Sequence, residues 1–214
     1  NPAESAAAFK SATERIPAST NQLVARVKWA DTQFTLKDYA GARDNYRLVA
    51  SQAAQYPGLA PGWFENNHYQ IIRACLELGD LPAATAALDK MIELYPQGNS
   101  LDRAMLLTGQ ALLAHNNPSQ ARKILSGIAQ RLPKSPLIPE AQLTIARTWV
   151  QESNWAEAES NLDAWVAAYT NHPAVAQAEF DRAWVYQQAG QDAKALQLYT
   201  NFVARNPISA LAPL

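Results

Sequence analysis

Six small residues recur along this chain at an almost constant spacing. Successive members are 37, 42, 37, 37 and 37 residues apart: Ser5, Ala42, Ala84, Ala121, Ala158 and Ala195. A large apolar or aromatic residue lies four positions after each of them, and in most repeats another lies seven positions after it. A proline follows 12 or 15 positions after each small residue. A fixed period of this length is typical of stacked structural repeats, in which each unit packs mainly on its neighbours.

Each repeat is predicted to contain two antiparallel helices, as residues 139–173 show most clearly. Apolar residues recur there at helical spacing on both sides of a short polar break at residues 152–154. We expect Asn154 to cap the second helix, and Asn117, which precedes Pro118, to do the same in its repeat. The closing proline ends the second helix, because the residue before a proline is driven out of the helical region. An irregular alanine-rich bundle would explain the amphipathic pattern but not the repeated intervals.

Composition and charge argue against several classes of function. The 214 residues carry a net charge of −1, which offers no electrostatic footprint for nucleic acid. No apolar stretch approaches the length of a transmembrane helix. The one cysteine, Cys75, excludes an intramolecular disulfide and is predicted to be a buried structural thiol, while the three histidines are too far apart for a metal-binding motif. We therefore expect no enzyme activity, no cofactor and no metal.

The order of small residue, large residue and proline on paired helices resembles the tetratricopeptide repeat (TPR). The second helix pair shows the pattern well, with Gly79-Asp80-Leu81, Ala84, Leu88 and Pro96. The resemblance implies an all-α fold, a right-handed α-solenoid of antiparallel helix pairs along essentially the whole chain. The period of 37 residues exceeds the family's usual period of about 34. It is similar to repeats of Tol–Pal-type and outer-membrane-assembly-type proteins of bacterial envelopes, which implies a periplasmic or envelope-associated location, with a cytoplasmic one as the alternative.

The repeat register divides residues 1–214 into a single array. Helix pairs are expected at residues 22–57, 65–96, 102–133, 139–173 and 176–207, with a half repeat at 2–17 and the start of a further repeat at 208–214. The 42-residue interval places five extra residues around Gln55–Gly62, where we predict an inserted loop. The incomplete units at both ends indicate a section of a longer array, although the first helix could instead be a natural cap.

The TPR resemblance implies that the first helix of each pair lines the concave groove. The residues carried over as partner-binding positions are Asn66, Tyr69, Arg73, Arg103, Gln110, Glu140, Arg147, Gln177, Trp184 and Gln187. Leu106, Leu143 and, in the first repeat, Phe34 are assigned to the same face. Aromatic residues and arginine are enriched at protein interfaces, and arginine binds carboxylates through paired hydrogen bonds. The alternative is that these arginines pair with neighbouring acidic residues, for example Arg147 with Glu140 or Glu152.

These observations favour a non-catalytic scaffold that binds a protein or peptide on the concave face, as part of a larger bacterial envelope protein. One alternative is a regulatory or positioning domain of a larger enzyme. Another is a self-association module that acts through the exposed ends of the repeat array.

Overall fold

The fold is all-α, as the sequence predicts. The computed structural model describes residues 1–59 and 61–206, and this part of the chain contains eleven α-helices and no β-strand. The chain forms two compact units, Asn1–Ala111 and Leu112–Leu214. The predicted start of a further repeat, residues 208–214, lies outside the described residues.

The helices follow one another in antiparallel pairs joined by short turns. Unit 1 contains α1 (Pro2–Arg15), α2 (Thr20–Thr35), α3 (Tyr39–Ser51), a 3₁₀ turn (Ala53–Gln55), α4 (Pro61–Glu77) and α5 (Leu81–Leu94). The next helix, α6 (Leu101–Ala114), begins in unit 1 and ends in unit 2. Unit 2 continues with α7 (Pro118–Arg131), α8 (Ile138–Gln151), α9 (Trp155–Ala168), α10 (Val175–Gln188) and α11 (Asp192–Arg205).

The repeating small residues mark the centre of the packing in each repeat. Ala42, Ala84, Ala121, Ala158 and Ala195 are all buried, whereas Ser5 on α1 is half-buried. The residues seven positions after each alanine are buried as well: Val49, Met91, Ile128, Trp165 and Phe202. In a helix, residues three or four apart share one face, so each second helix presents this one face to the core. The repeat register of the sequence therefore coincides with the packing register, because the residues that recur in the sequence are the ones that form the core of each repeat.

The turn inside each pair adopts the same backbone conformation in five successive repeats. One residue of the turn has a positive φ each time, at Lys37, Gly79, Asn116, Ser153 and Gly190. These positions are 42, 37, 37 and 37 residues apart, which are the intervals of the buried alanines. Glycine takes this left-handed conformation without the steric penalty that a Cβ atom brings, so the three other residues carry local strain.

One of the two predicted asparagine caps forms and the other does not. Asn154 accepts a hydrogen bond from the Glu157 backbone N–H at 3.4 Å, so it is the predicted cap of α9. The expectation for Asn117 is wrong, because its side-chain amide donates to the carbonyl oxygen of His115 at 2.9 Å instead of accepting from α7. At the other end of the second helices, Tyr95 and Leu132 leave the helical conformation directly before a proline, as predicted.

The predicted loop at Gln55–Gly62 is present but lies earlier in the chain, between Ser51 and Pro61. The chain leaves α3 at Ser51, makes a 3₁₀ turn and a bend, and enters α4 at Pro61. Pro61 and Gly62 thus belong to a helix, because a proline at the first helical position lacks only an N–H that would have no partner there.

A buried carboxylate fixes the connection between α5 and α6 within unit 1. Glu65 on α4 is buried, and its Oε1 accepts a hydrogen bond from the Ser100 N–H at 2.5 Å, directly before α6 begins. A Cβ atom at Gly98 would lie 2.6 Å from the same oxygen, so this close approach requires glycine. Negative charge at a helix N-terminus is favourable because the free N–H groups there carry partial positive charge.

Candidate functional site

The ten predicted partner-binding residues divide equally between the two units. Unit 1 contains Asn66, Tyr69, Arg73, Arg103 and Gln110, and unit 2 contains Glu140, Arg147, Gln177, Trp184 and Gln187. All of them lie on first helices of the pairs, namely α4, α6, α8 and α10. We call the surface that carries them the first-helix face of each unit.

Arg73 is the most constrained of the predicted residues in unit 1. Its guanidinium carbon lies 4.6 Å from the ring centre of Phe34 on α2 and 6.0 Å from that of Tyr69 on α4. Its Nη1 donates to Oε1 of Gln70 at 2.9 Å. Arg73 forms no ion pair with any residue that the structure describes, since no carboxylate oxygen lies within 4 Å. Two aromatic rings therefore hold a cation that forms no direct ion pair with a described carboxylate.

A buried tyrosine links α2 to α3 beneath this cation. The Tyr46 hydroxyl donates to Oδ1 of Asp31 at 2.7 Å, and burial, followed by this carboxylate, raises the pKa of Tyr46 well above its usual value. The neighbouring positive charge of Arg73 acts in the opposite direction. The α2 helix that supplies Phe34 is thus tied to the core of its own repeat.

Of the other predicted residues of unit 1, Tyr69 contacts Arg73 through its ring. Asn66 and Arg103 are exposed, and Gln110 is half-buried. Leu106 is only 7% exposed, so its assignment to the binding face is wrong. The second leucine assigned to that face, Leu143 in unit 2, is also buried and contributes to the core.

Arg147 and Gln177 converge on one carboxylate in unit 2. Arg147 Nη2 lies 3.3 Å from Oδ2 of Asp181, and Gln177 Nε2 donates to its Oδ1 at 2.7 Å. The alternative that Arg147 pairs with an acidic residue is therefore confirmed, but the partner is Asp181 and not Glu152, which pairs with Arg122. Arg147 keeps about half of its side chain exposed, so the pair contributes little stability and leaves the guanidinium accessible.

Trp184 is the large aromatic residue that the first-helix face of unit 2 leaves exposed. It is 36% exposed, and it packs edge-to-face against Trp155 at the start of α9, with ring centres 5.9 Å apart. Gln187, one turn further along α10, accepts a long hydrogen bond from the Tyr199 hydroxyl at 3.3 Å. Glu140 is exposed at the start of α8.

Sequence reasoning missed Asp181 and the pairing of Trp155 with Trp184. The sequence separation between contacting residues provides a signal for such contacts. Arg147 and Asp181 are 34 residues apart, and Phe34 and Arg73 are 39 apart, in each case three less than the local repeat interval of 37 or 42. Successive first helices therefore meet at positions displaced by about one helical turn.

Other kinds of site find no support among the described residues. No group of three or more histidine, cysteine, aspartate or glutamate side chains in that part of the chain could hold a metal ion. None of the described helices has the length and apolar character to cross a bilayer. Cys75 is fully buried, as predicted, and burial raises the pKa of its thiol, so it is not a reactive nucleophile.

Comparison with known proteins establishes the family. A family model described as "YfiO: Outer membrane lipoprotein" matches residues 20–119 and again residues 106–206. The chain belongs to the YfiO family. The two matches together cover most of the chain, and the family's description agrees with the envelope-type repeat that the 37-residue period resembles. A search among curated proteins finds no match.

Solved structures confirm the TPR fold. The apo form of RapI aligns with a TM-score of 0.78 at 10% identity, over 96% of this chain and 59% of that one. BtubC (BKLC) from P. vanneervenii aligns with a TM-score of 0.68 at 13% identity, over 100% and 92%. YrrB, described as a TPR protein with an unusual peptide-binding site, aligns with a TM-score of 0.62 at 16% identity, over 97% and 96%. At these identities the likeness concerns the fold alone.

Proposed function

We propose that this chain is a non-catalytic interaction module of the bacterial envelope, which binds a peptide or protein segment on its first-helix faces. TPR proteins are interaction scaffolds as a class, and one of the similar structures is named for its peptide-binding site. The YfiO family match supports the envelope location. The proposal assigns the ten predicted residues to binding and none to catalysis.

The observation that carries this proposal is that Arg73 lies against two aromatic rings without an ion-pair partner among the described residues. A guanidinium that is already held by Phe34 and Tyr69 loses little conformational freedom when it binds a carboxylate. A hydrogen bond to a charged group contributes about 1.5–3 kcal/mol. Because Arg73 has no ion-pair partner among the described residues, an acidic side chain or a terminal carboxylate of a ligand would not need to displace one.

Unit 2 would supply apolar and polar contacts rather than a free cation. Trp184 offers an exposed ring face braced by Trp155, and aromatic anchors of this kind contribute strongly at interfaces. Asp181 lies three residues before Trp184 on α10, and its pair with Arg147 of α8 presents both donors and acceptors. We therefore expect unit 2 to bind an apolar side chain of the ligand, flanked by polar groups.

Selection from a displayed library of random peptides with free C-terminal carboxylates tests the proposal. Enriched peptides should carry aspartate, glutamate or a required terminal carboxylate, and Arg73→Gln should weaken their binding at least about tenfold, since 1.4 kcal/mol corresponds to a factor of ten. Arg15→Gln, which removes an exposed arginine from α1, is the matched control. Equal losses in both variants would contradict the assignment, and so would enriched peptides that carry no acidic side chain and bind equally well with an amidated C-terminus.

Trp184→Ala tests the second unit in the same assay. Leu196 on α11 is 69% exposed, so Leu196→Ala removes exposed apolar surface away from the first-helix face. We expect Trp184→Ala alone to weaken binding, with melting temperature and helicity nearly unchanged in both variants. A collapse of melting in Trp184→Ala would show that this residue belongs to the core.

A further inference from the structure

A groove of about 640 Å³ lies on the opposite side of the pairs in unit 1, between second helices α3 and α5. Its walls consist mainly of alanine, and its floor is formed by Ile71 and His68 of α4. The wall alanines are Ala50, Ala53, Ala54, Ala83, Ala86 and Ala87. Pockets that bind ligands have volumes in this range, from about 300 to 1,000 Å³.

The groove has the length of a short helix. On α5 the lining residues follow helical spacing from Ala83 to Lys90 and Leu94, so the wall extends over twelve residues, or about 16 Å from first to last. Alanine side chains let a neighbouring backbone approach closely, because helix separation depends on the side chains at the contact. The α5 wall is therefore as long as a helix of about three turns.

The charges along the groove have one sign. Arg47 on the α3 wall and Lys90 on the α5 wall line it, and no acidic side chain does so in the described part of the chain. Arg47 forms no ion pair with a described residue. Lys90 pairs with Glu93 at 2.9 Å, but both side chains are more than half exposed, and a pair of that kind contributes little. The groove therefore favours an acidic occupant.

His68 places a hydrogen-bonding atom at the groove floor. The side chain is only 8% exposed, and its Nδ1 lies 3.0 Å from the carbonyl oxygen of Phe64. A carbonyl oxygen only accepts, so Nδ1 is the donor in this bond, and Nε2 has no hydrogen-bond partner among the described residues. Nε2 is not fully enclosed, because Asn67 Oδ1 is the only described side-chain polar atom that is buried without a hydrogen-bond partner, so Nε2 can accept a hydrogen bond from water or from a bound group.

We propose that this groove is the docking site for an acidic amphipathic helix of a partner protein. Leucine or isoleucine side chains of that helix pack on the alanine walls, and its aspartate or glutamate side chains pair with Arg47 and Lys90. A polar side chain of the helix hydrogen-bonds to His68. Helix-in-groove recognition of this kind uses apolar anchors at positions i, i+3 or i+4, and i+7. The site is independent of the first-helix faces.

A synthetic peptide pair provides the test. The first is a fluorescent 18-residue amphipathic helix with leucine along one face and glutamate beside it, and the second has lysine in place of every glutamate. Binding to the full 214-residue chain is measured by fluorescence anisotropy. We expect the acidic peptide to bind at least about tenfold more tightly than the basic one, and to weaken as salt rises, because screening reduces attraction between exposed charges.

Two variants at one exposed position of the wall assign the binding to the groove. Ala86→Glu should weaken binding of the acidic peptide at least about tenfold, whereas Ala86→Lys should preserve or strengthen it. Glutamate and lysine are both long side chains with similar helix propensities, so they differ here mainly in charge. Arg47→Gln provides a second test if either variant fails to fold. Equal binding of both peptides, or an equal effect of glutamate and lysine at position 86, would overturn the proposal. A concentration-dependent dimer that Ala86→Glu dissociates would overturn it in favour of a second copy as the occupant.

Discussion

Enlarging Ala158 to leucine tests the packing register most directly. Ala158 on α9 is fully buried in a cluster with Leu143, Leu162, Trp165 and neighbouring small residues. Leucine adds three carbon atoms, and if free space existed their burial would stabilise the fold by about 0.8 kcal/mol each, or roughly 2.4 kcal/mol in total. No such space is expected, because protein interiors are close-packed and the small residue recurs wherever two helices approach. We therefore expect a net loss of about 1–3 kcal/mol.

Ala164→Leu is the matched control for this substitution. It makes the same chemical change on the same helix at an exposed position, and alanine and leucine have similar helix propensities. Urea unfolding followed by circular dichroism measures the difference. With a typical slope of about 2 kcal/mol per molar urea, the midpoint of Ala158→Leu should fall by about 0.5–1.5 M relative to the control. A midpoint equal to or above that of Ala164→Leu would refute the argument that the repeat register is the packing register.

Two further predictions concern the turn conformation and the pH dependence of stability. Ser153→Gly should stabilise by up to about 1 kcal/mol, because relief of a left-handed residue, roughly 1–2 kcal/mol, exceeds the extra backbone entropy of glycine in the unfolded chain. Gly190→Ala should destabilise by a similar amount in the same urea titration, and a loss of stability in Ser153→Gly would contradict the strain argument. Burial and a hydrogen bond to Asp163 raise the pKa of Tyr186 to about 12. Its folded-state pKa lies above the unfolded value near 10, so its contribution to stability is complete below about pH 10 and is lost as the pH rises towards 12. Melting temperatures between pH 9 and pH 12 should fall less steeply in Tyr186→Phe, and identical slopes would show that the pKa of this tyrosine is the same in the folded and unfolded states.

The helical framework could be predicted because its signals are local. Ala84 and Met91 lie on one helix, so their spacing alone shows that they share a face. The turns were harder to predict. Glycine at position 79 indicates a left-handed residue, but Lys37 and Ser153 adopt the same conformation without any such signal. There the packing of two adjacent helices overrides the local preference of the residue.

The candidate site could be predicted only in outline. The helix face that carries Arg73 and Arg147 follows from periodicity and from the TPR resemblance. Leu106 was misassigned because a first helix contacts neighbours on more than one side, which leaves a narrower exposed stripe than periodicity implies. The contact of Arg147 with Asp181 depends on the offset between two helices, and no single helix contains that information.

The sequence by itself determined the repeat, the helix pairs and the buried alanines, because period and side-chain volume are properties of nearby residues along the chain. Only the tertiary structure decided which charged groups meet. It pairs Arg147 with Asp181, leaves Arg73 on two aromatic rings without a described carboxylate, and opens an alanine-walled groove between α3 and α5. These outcomes depend on how close two helices from neighbouring repeats come to each other. Electrostatic attraction and close packing depend on distance in space and not on separation along the sequence.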